Sequence, residues 1–146
     1  MGGLSAKVLE YDRIVSEIVP TAKEAGFSHA AWAPLAELVA VDEFERVGIL
    51  RETMTWPQYV DFLTEWAGSK GFWTRLRRIS EVSPLVYLEV EEHHLKDGAE
   101  TIINSMSVFE FTDTGKIRHL DVYIQGQLYG PGKVPDYATR NGTEPA

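Results

Sequence analysis

The chain has 146 residues, a length that suits one domain able to bury its own core, and 44% hydrophobic against 25% charged residues is a globular balance. It has no cysteine, which excludes disulfides, thiolate-held zinc or iron–sulfur sites and a cysteine nucleophile. A net charge of −8 argues against sequence-independent binding to nucleic acid, which needs a basic surface to neutralise phosphates.

The start, Met1-Gly2-Gly3-Leu4, lacks a charged segment followed by an apolar run, and position 6 is Ala rather than the Ser or Thr of a myristoylation signal. No stretch has the length of a membrane span, so the expectation is a cytoplasmic protein with no membrane partner.

Helical periodicity comes first. Val8, Tyr11, Val15, Ile18 and Ala22 recur at spacings of three and four, with Ile14 beside them, and predict a helix from about Ser5 to Ala25. Pro20 should kink or break its last turn, and Gly26 is a natural stop. A second short helix follows, with Ser28 as N-cap, Pro34 in its early turns and Trp32, Leu35 and Leu38 as its buried face. A short strand is expected around Val41–Val47. Thr55-Trp56-Pro57-Gln58 then reads as a capping box for a third helix. Tyr59, Phe62, Leu63 and Trp66 form its apolar stripe, and Gly68 ends it.

After Gly71 the period becomes alternating. Strands are predicted near Phe72–Val82, Leu85–Leu95, Glu100–Phe111 and Lys116–Gln125. Helices with one early strand, followed by a meander of four strands, give an α+β domain over residues 1–125. Residues 126–146, with Gly130-Pro131-Gly132, read as a loop and tail. Arg75, Arg77 and Arg78 form one local basic patch, read as a solvated strand edge.

Two turns set the register. Asp97-Gly98 is a two-residue hairpin signal that pairs Lys96 with Ala99. Leu88 then lies opposite Ser107, Val90 opposite Ser105 and Glu92 opposite Ile103. The inner face carries Val86, Leu88, Val90, Glu92 and His94 on one strand and Thr101, Ile103, Ser105, Ser107 and Phe109 on the next. Tyr87, Glu89, Glu91 and His93 face outward, as a solvated or subunit-pairing surface. Asp113-Thr114-Gly115 reads as a three-residue loop pairing Thr112 with Lys116, which sets Asp121 inward opposite Ser107. The alternation of Leu120, Val122 and Ile124 sets Asp121 outward instead, and a bulge would reconcile the two.

Glu92 and His94 share a side of their strand and can act as an acid–base pair, the carboxylate holding the ring and raising its basicity. The competing reading is a wet strand end. Glu45 and Arg46 are read as a polar strand edge, although either could reach the interior. His93 and His94 point apart and do not make a metal pair. No Gly-rich phosphate loop and no Gly-x-Ser-x-Gly elbow occur.

The run Leu85-Val86-Tyr87-Leu88-Glu89-Val90-Glu91-Glu92-His93, the strand ending Val108-Phe109-Glu110-Phe111, then Gly115-Lys116-Ile117 and a last strand with Tyr123 resembles the SnoaL-like and limonene-epoxide-hydrolase-like branch of the nuclear-transport-factor-2-like superfamily. The resemblance covers roughly Ser5 to Gln125. It implies a cone-shaped curved sheet, mixed or antiparallel, wrapped by about three N-terminal helices (a cystatin-like α+β roll). It also implies an apolar pocket, a homodimer, and acid–base chemistry on cyclic substrates that needs no cofactor and no metal. The arginine and two aspartates of the epoxide hydrolases match Val90, Glu92 and Val122, so one carboxylate is kept as Glu92, and Asp121 supplies the second only through a bulge. The neutral acid of ketosteroid isomerases falls near Ser107, its base near Glu45, and its helix tyrosine has no counterpart.

Two functions follow as expectations. One is an isomerase, epoxide hydrolase or polyketide cyclase acting on a hydrophobic cyclic molecule. In it Asp121 is the base if it faces inward, Glu92 and His94 form a second acid–base group, and Ser105, Ser107, Trp66 and Phe109 bind substrate. The other is a non-catalytic ligand-binding or accessory protein of the same fold.

Overall fold

The computed structural model describes residues 2–69 and 71–126. Among these the chain forms three α-helices, α1 (Gly3–Ile18), α2 (Ala33–Ala36) and α3 (Trp56–Ala67), and six strands. The strands are β1 (Glu45–Val47), β2 (Thr53–Met54), β3 (Gly71–Val82), β4 (Leu85–Lys96), β5 (Ala99–Phe111) and β6 (Ile117–Gln125). They make one sheet in the order β2-β1-β6-β5-β4-β3, curved and unclosed, with β1 parallel to β6 and every other neighbour antiparallel. The early strand is shorter than predicted, and β2 is an addition that the alternation did not reveal. Apart from Gly126 itself, the predicted tail lies outside the described residues.

α1 stops at Ile18 instead of Ala25, and Val19–Lys23 continues as a 3-10 turn. Pro20 has no N–H to continue the ladder, and its ring disfavours helical backbone just before it. Gly26 takes φ +87°, the left-handed conformation that closes such a segment. The capping box of α3 is complete: Gln58 N–H donates to Thr55 Oγ1 and Thr55 N–H donates to Gln58 Oε1 at 2.9 Å. These devices fix where each helix enters, and so which residues turn toward the sheet.

The helices lie over the inner face of β4, β5 and β6. Val8, Trp32, Leu35, Val86, Phe109, Ile117 and Leu120 are essentially sealed from solvent. Burying a side chain of this kind stabilises by about 1.5–3 kcal/mol. Glu81, at the far end of β3, accepts from both the backbone N–H and the hydroxyl of Ser5 (2.7 and 2.8 Å) and ties the start of α1 to the sheet.

The predicted β4–β5 register is the observed one: Leu88 pairs with Ser107, Val90 with Ser105 and Glu92 with Ile103. Asp97 (φ +53°) and Gly98 (φ +78°) make the left-handed pair that a tight hairpin requires. The β5–β6 turn also forms as predicted, with Thr112 N–H donating to the Lys116 carbonyl at 2.7 Å and Gly115 at φ +80°. Past the turn, Phe111 pairs with Ile117 but Glu110 pairs with His119, so Arg118 is an extra residue on β6. The bulge corrects the inward assignment of Asp121. Asp121 lies opposite Val108 on the outer face, and Val122 takes the place opposite Ser107.

Candidate functional site

A cavity of about 440 Å³ opens between the inner face of the sheet and helices α1 and α3. Its size suits a small ring system. Phe109, Leu120, Val122 and Ile124 line its floor, and Leu63, Trp66 and Phe72 line its wall. Trp66 packs edge-on against Phe72 with ring centroids 4.8 Å apart.

Of the predicted site residues, Glu92, His94, Ser105, Ser107, Trp66 and Phe109 all line this cavity. Asp121 does not. Its Oδ1 lies 2.9 Å from His119 Nε2 on the other side of the sheet, and it is removed from the candidate catalytic set. Glu92 and His94 are joined at 2.9 Å, and their side chains are only 18% and 13% exposed, which answers the wet-strand-end reading. The His94 ring lies 5.2 Å from Phe72 and 6.4 Å from Trp66, centroid to centroid, and its Nδ1 is buried without a partner.

Further polar side chains reach the same space. Asp12 sits on α1 between Tyr11 and Val15, and Thr74 Oγ1 of β3 donates to its Oδ2 at 2.9 Å. Burial pushes the Asp12 carboxyl above the ordinary carboxylate range, the Thr74 hydrogen bond opposes this, and the charge of Glu92 adds to the rise. Tyr11 of α1 and Tyr59 of α3 meet hydroxyl to hydroxyl at 2.6 Å, buried. Burial raises both phenols, Tyr11 well above its usual value, while the positive charge of Arg46 pulls each the other way. Both therefore stay neutral and keep their protons.

Arg46 completes the set. The parallel pairing of Arg46 with Leu120 turns it inward, and its guanidinium stands 5.1 Å from the ring centres of both Tyr59 and Phe62. The strand-edge reading of Arg46 is thus corrected: with β6 beside it, β1 is an interior strand. Glu45 remains outside, 3.4 Å from His119.

The spacing Val8, Tyr11, Asp12, Val15 carries a signal for Asp12, because a carboxylate at that position interrupts an apolar helical stripe. Tyr11 and Tyr59, which the helical period marks only as buried-face residues, line the cavity together. No group of three or more His, Cys, Asp or Glu able to hold a metal occurs among the described residues. No described helix is long and apolar enough to cross a membrane.

No family model and no curated protein matches the sequence. Solved structures do match in fold. A Shewanella putrefaciens protein assigned to the SnoaL-like polyketide cyclases superposes with a TM-score of 0.68 at 10% identity, over 85% of this chain and 90% of that one. A Mycobacterium tuberculosis epoxide hydrolase of the limonene-epoxide-hydrolase-like kind gives 0.56 at 16% identity, over 80% and 84%. An NTF2-like protein of unknown function from Burkholderia xenovorans gives 0.58 at 18% identity, over 90% and 92%. At these identities the likeness is one of fold, and the chain has the α+β fold of the nuclear-transport-factor-2-like proteins that its sequence pattern resembles.

Proposed function

We propose that this chain is a cofactor-independent enzyme that moves protons on a hydrophobic cyclic small molecule. The observation that carries the reading is Asp12, a carboxyl group in an apolar cavity, raised by burial and by the charge of Glu92, with His94 beside Glu92 on the same wall. A raised carboxyl is a better base than an exposed one and titrates closer to the pH at which a group both takes and gives protons.

The chemistry the geometry favours is removal of a proton from a carbon beside a carbonyl. The proton passes to Asp12, and the C–H electron pair moves into the carbonyl oxygen as an enolate. In the tyrosine pair one hydroxyl donates to the other, which leaves one phenolic proton free for that oxygen. Return of the proton at another carbon is an isomerisation, and attack of the enolate on a second carbonyl is a ring closure. Two fold neighbours, a SnoaL-like cyclase and an epoxide hydrolase, are consistent with ring substrates.

The test is exchange in heavy water. A panel of cyclic ketones is incubated with the protein, and deuterium uptake beside the carbonyl is followed by mass spectrometry. Enzyme-dependent uptake that falls at least roughly a hundredfold in Asp12→Asn supports the reading. Binding of ring compounds with no exchange, and no opening of cyclic epoxides, makes the chain a ligand carrier instead. We also propose that two copies pair through the outer sheet face, where Trp73, Ile102, Met106 and Tyr123 stay exposed. A monomer mass in light scattering overturns that pairing.

A further inference from the structure

Arg46 has no charged partner among the described residues. Its Nε is buried without an acceptor, and it takes part in no ion pair among the described residues. The faces of Tyr59 and Phe62 compensate only part of that charge. The guanidinium, half-buried against these rings with no anion on it, offers a planar donor fork that matches a carboxylate.

The carboxylates of the cavity are engaged elsewhere. Glu92 is held by His94 at 2.9 Å, and Asp12 accepts from Thr74 at 2.9 Å. Lys96, exposed at the end of β4 and lining the same opening, is a second cation outside every ion pair among the described residues. Arg46, beside the Tyr11–Tyr59 hydroxyl pair, is thus a positive spot in the cavity wall that neither acid reaches within ion-pair distance. The whole chain carries −8, so this positive spot is local and not part of a basic surface.

We infer that the cavity takes a ring ligand bearing one anionic oxygen group, a carboxylate or the enolate of an acidic cyclic 1,3-dicarbonyl, with that group seated on Arg46. The inference rests on the cavity being a small-molecule site and not on catalysis. The ring fills the apolar floor, and the anionic oxygens take the donors of Arg46 and the free tyrosine proton.

Calorimetric titration of the full chain tests it with size-matched pairs: 1-naphthoate against 1-naphthamide, and cyclohexane-1,3-dione above its ionisation against cyclohexanone. Each anion should bind at least tenfold tighter than its neutral counterpart. Arg46→Gln should erase that preference by weakening the anions at least tenfold more than the neutral compounds, and Arg46→Lys should restore part of it. Preference for naphthoate alone or for the dione alone names which anionic oxygen source fits. Equal affinity for anion and neutral compound overturns the inference and leaves the small-molecule site standing, as does a preference that survives in Arg46→Gln. Absence of binding by any of the four overturns both. The wild-type comparison decides even where Arg46→Gln does not fold.

Discussion

Strand β4 presents the same pair twice. Glu91 and His93 meet at 2.7 Å on the outer face, and Glu92 and His94 meet at 2.9 Å on the inner face one residue along. The outer pair is enclosed by opposite charge and aromatic cover. Arg75 reaches Glu91 at 3.0 Å, and His93 stacks on Trp73 with ring centroids 3.6 Å apart. One step away, Arg78 grips Glu89 with two hydrogen bonds, and Arg77 adds a third contact. The basic patch of the sequence is thus a set of partners for the acids of the next strand, more than a solvated edge. The inner pair has no arginine against its carboxylate. It faces a second acid, Asp12, across an apolar cavity. Identical side chains thus differ in whether an opposite charge answers them, and the proposed chemistry falls to the pair where none does.

The largest expected effect tests that difference directly. Glu92→Gln should lower turnover of an exchange-active ketone by roughly a hundredfold or more. Glu91→Gln, and Asp121→Asn on the same outer face, should each leave it within about twofold. Equal losses from Glu91→Gln and Glu92→Gln would mean that both act through the stability of the sheet. The assay is the deuterium uptake already described, run beside a melting curve for each variant.

The next effect is one of sign. Burial raises Asp12 above 3.8, its ordinary value. The stability associated with its neutral form is complete below that value and is lost as pH rises through the raised one. Asp12→Asn keeps an acceptor for Thr74, so it should melt higher than wild type at pH 7 and equal it near pH 3. Glu91 is displaced the other way, held below its ordinary 4.5 first by the Arg75 hydrogen bond and then by His93. Its contribution is present above 4.5 and is lost as pH falls through the lowered value. Glu91→Gln should therefore melt lower than wild type at pH 7, with the gap closing in acid. Melting curves of the two variants from pH 3 to 8 should diverge in opposite directions; parallel curves would overturn the comparison.

The same contrast explains what the sequence made legible. The β4–β5 hairpin could be read to the residue because Asp97-Gly98 allows one tight turn, and a period of two then assigns every side chain on both strands to a face. Glu92, His94, Ser105 and Ser107 followed from that. Asp121 was ambiguous because the turn rule and the apolar alternation disagreed by one residue, and the disagreement itself marked the bulge at Arg118. Asp12 and Tyr59 were harder. Each belongs to a helical stripe where the period finds the buried face without separating core from cavity wall. Arg46 was hidden for another reason: three residues of β1 carry too little alternation to assign a face, and only its parallel pairing with β6 does so.

The smallest effect concerns how firmly the outer pair is held. Arg75 is 67% exposed and Glu91 21%, so their 3.0 Å contact is well screened by water. A double-mutant cycle with Arg75→Ala and Glu91→Gln should give a coupling in the small range typical of exposed ion pairs, reduced further by salt. Arg75→Ala alone should cost little, because Glu91 keeps His93 at 2.7 Å. A coupling well above that range would mean that the outer face is drier than a lone chain makes it. The excess would have to come from a second copy lying over Trp73 and Ile102, so repeating the cycle across a dilution series that dissociates such a pair should bring the coupling back into the range of an exposed contact.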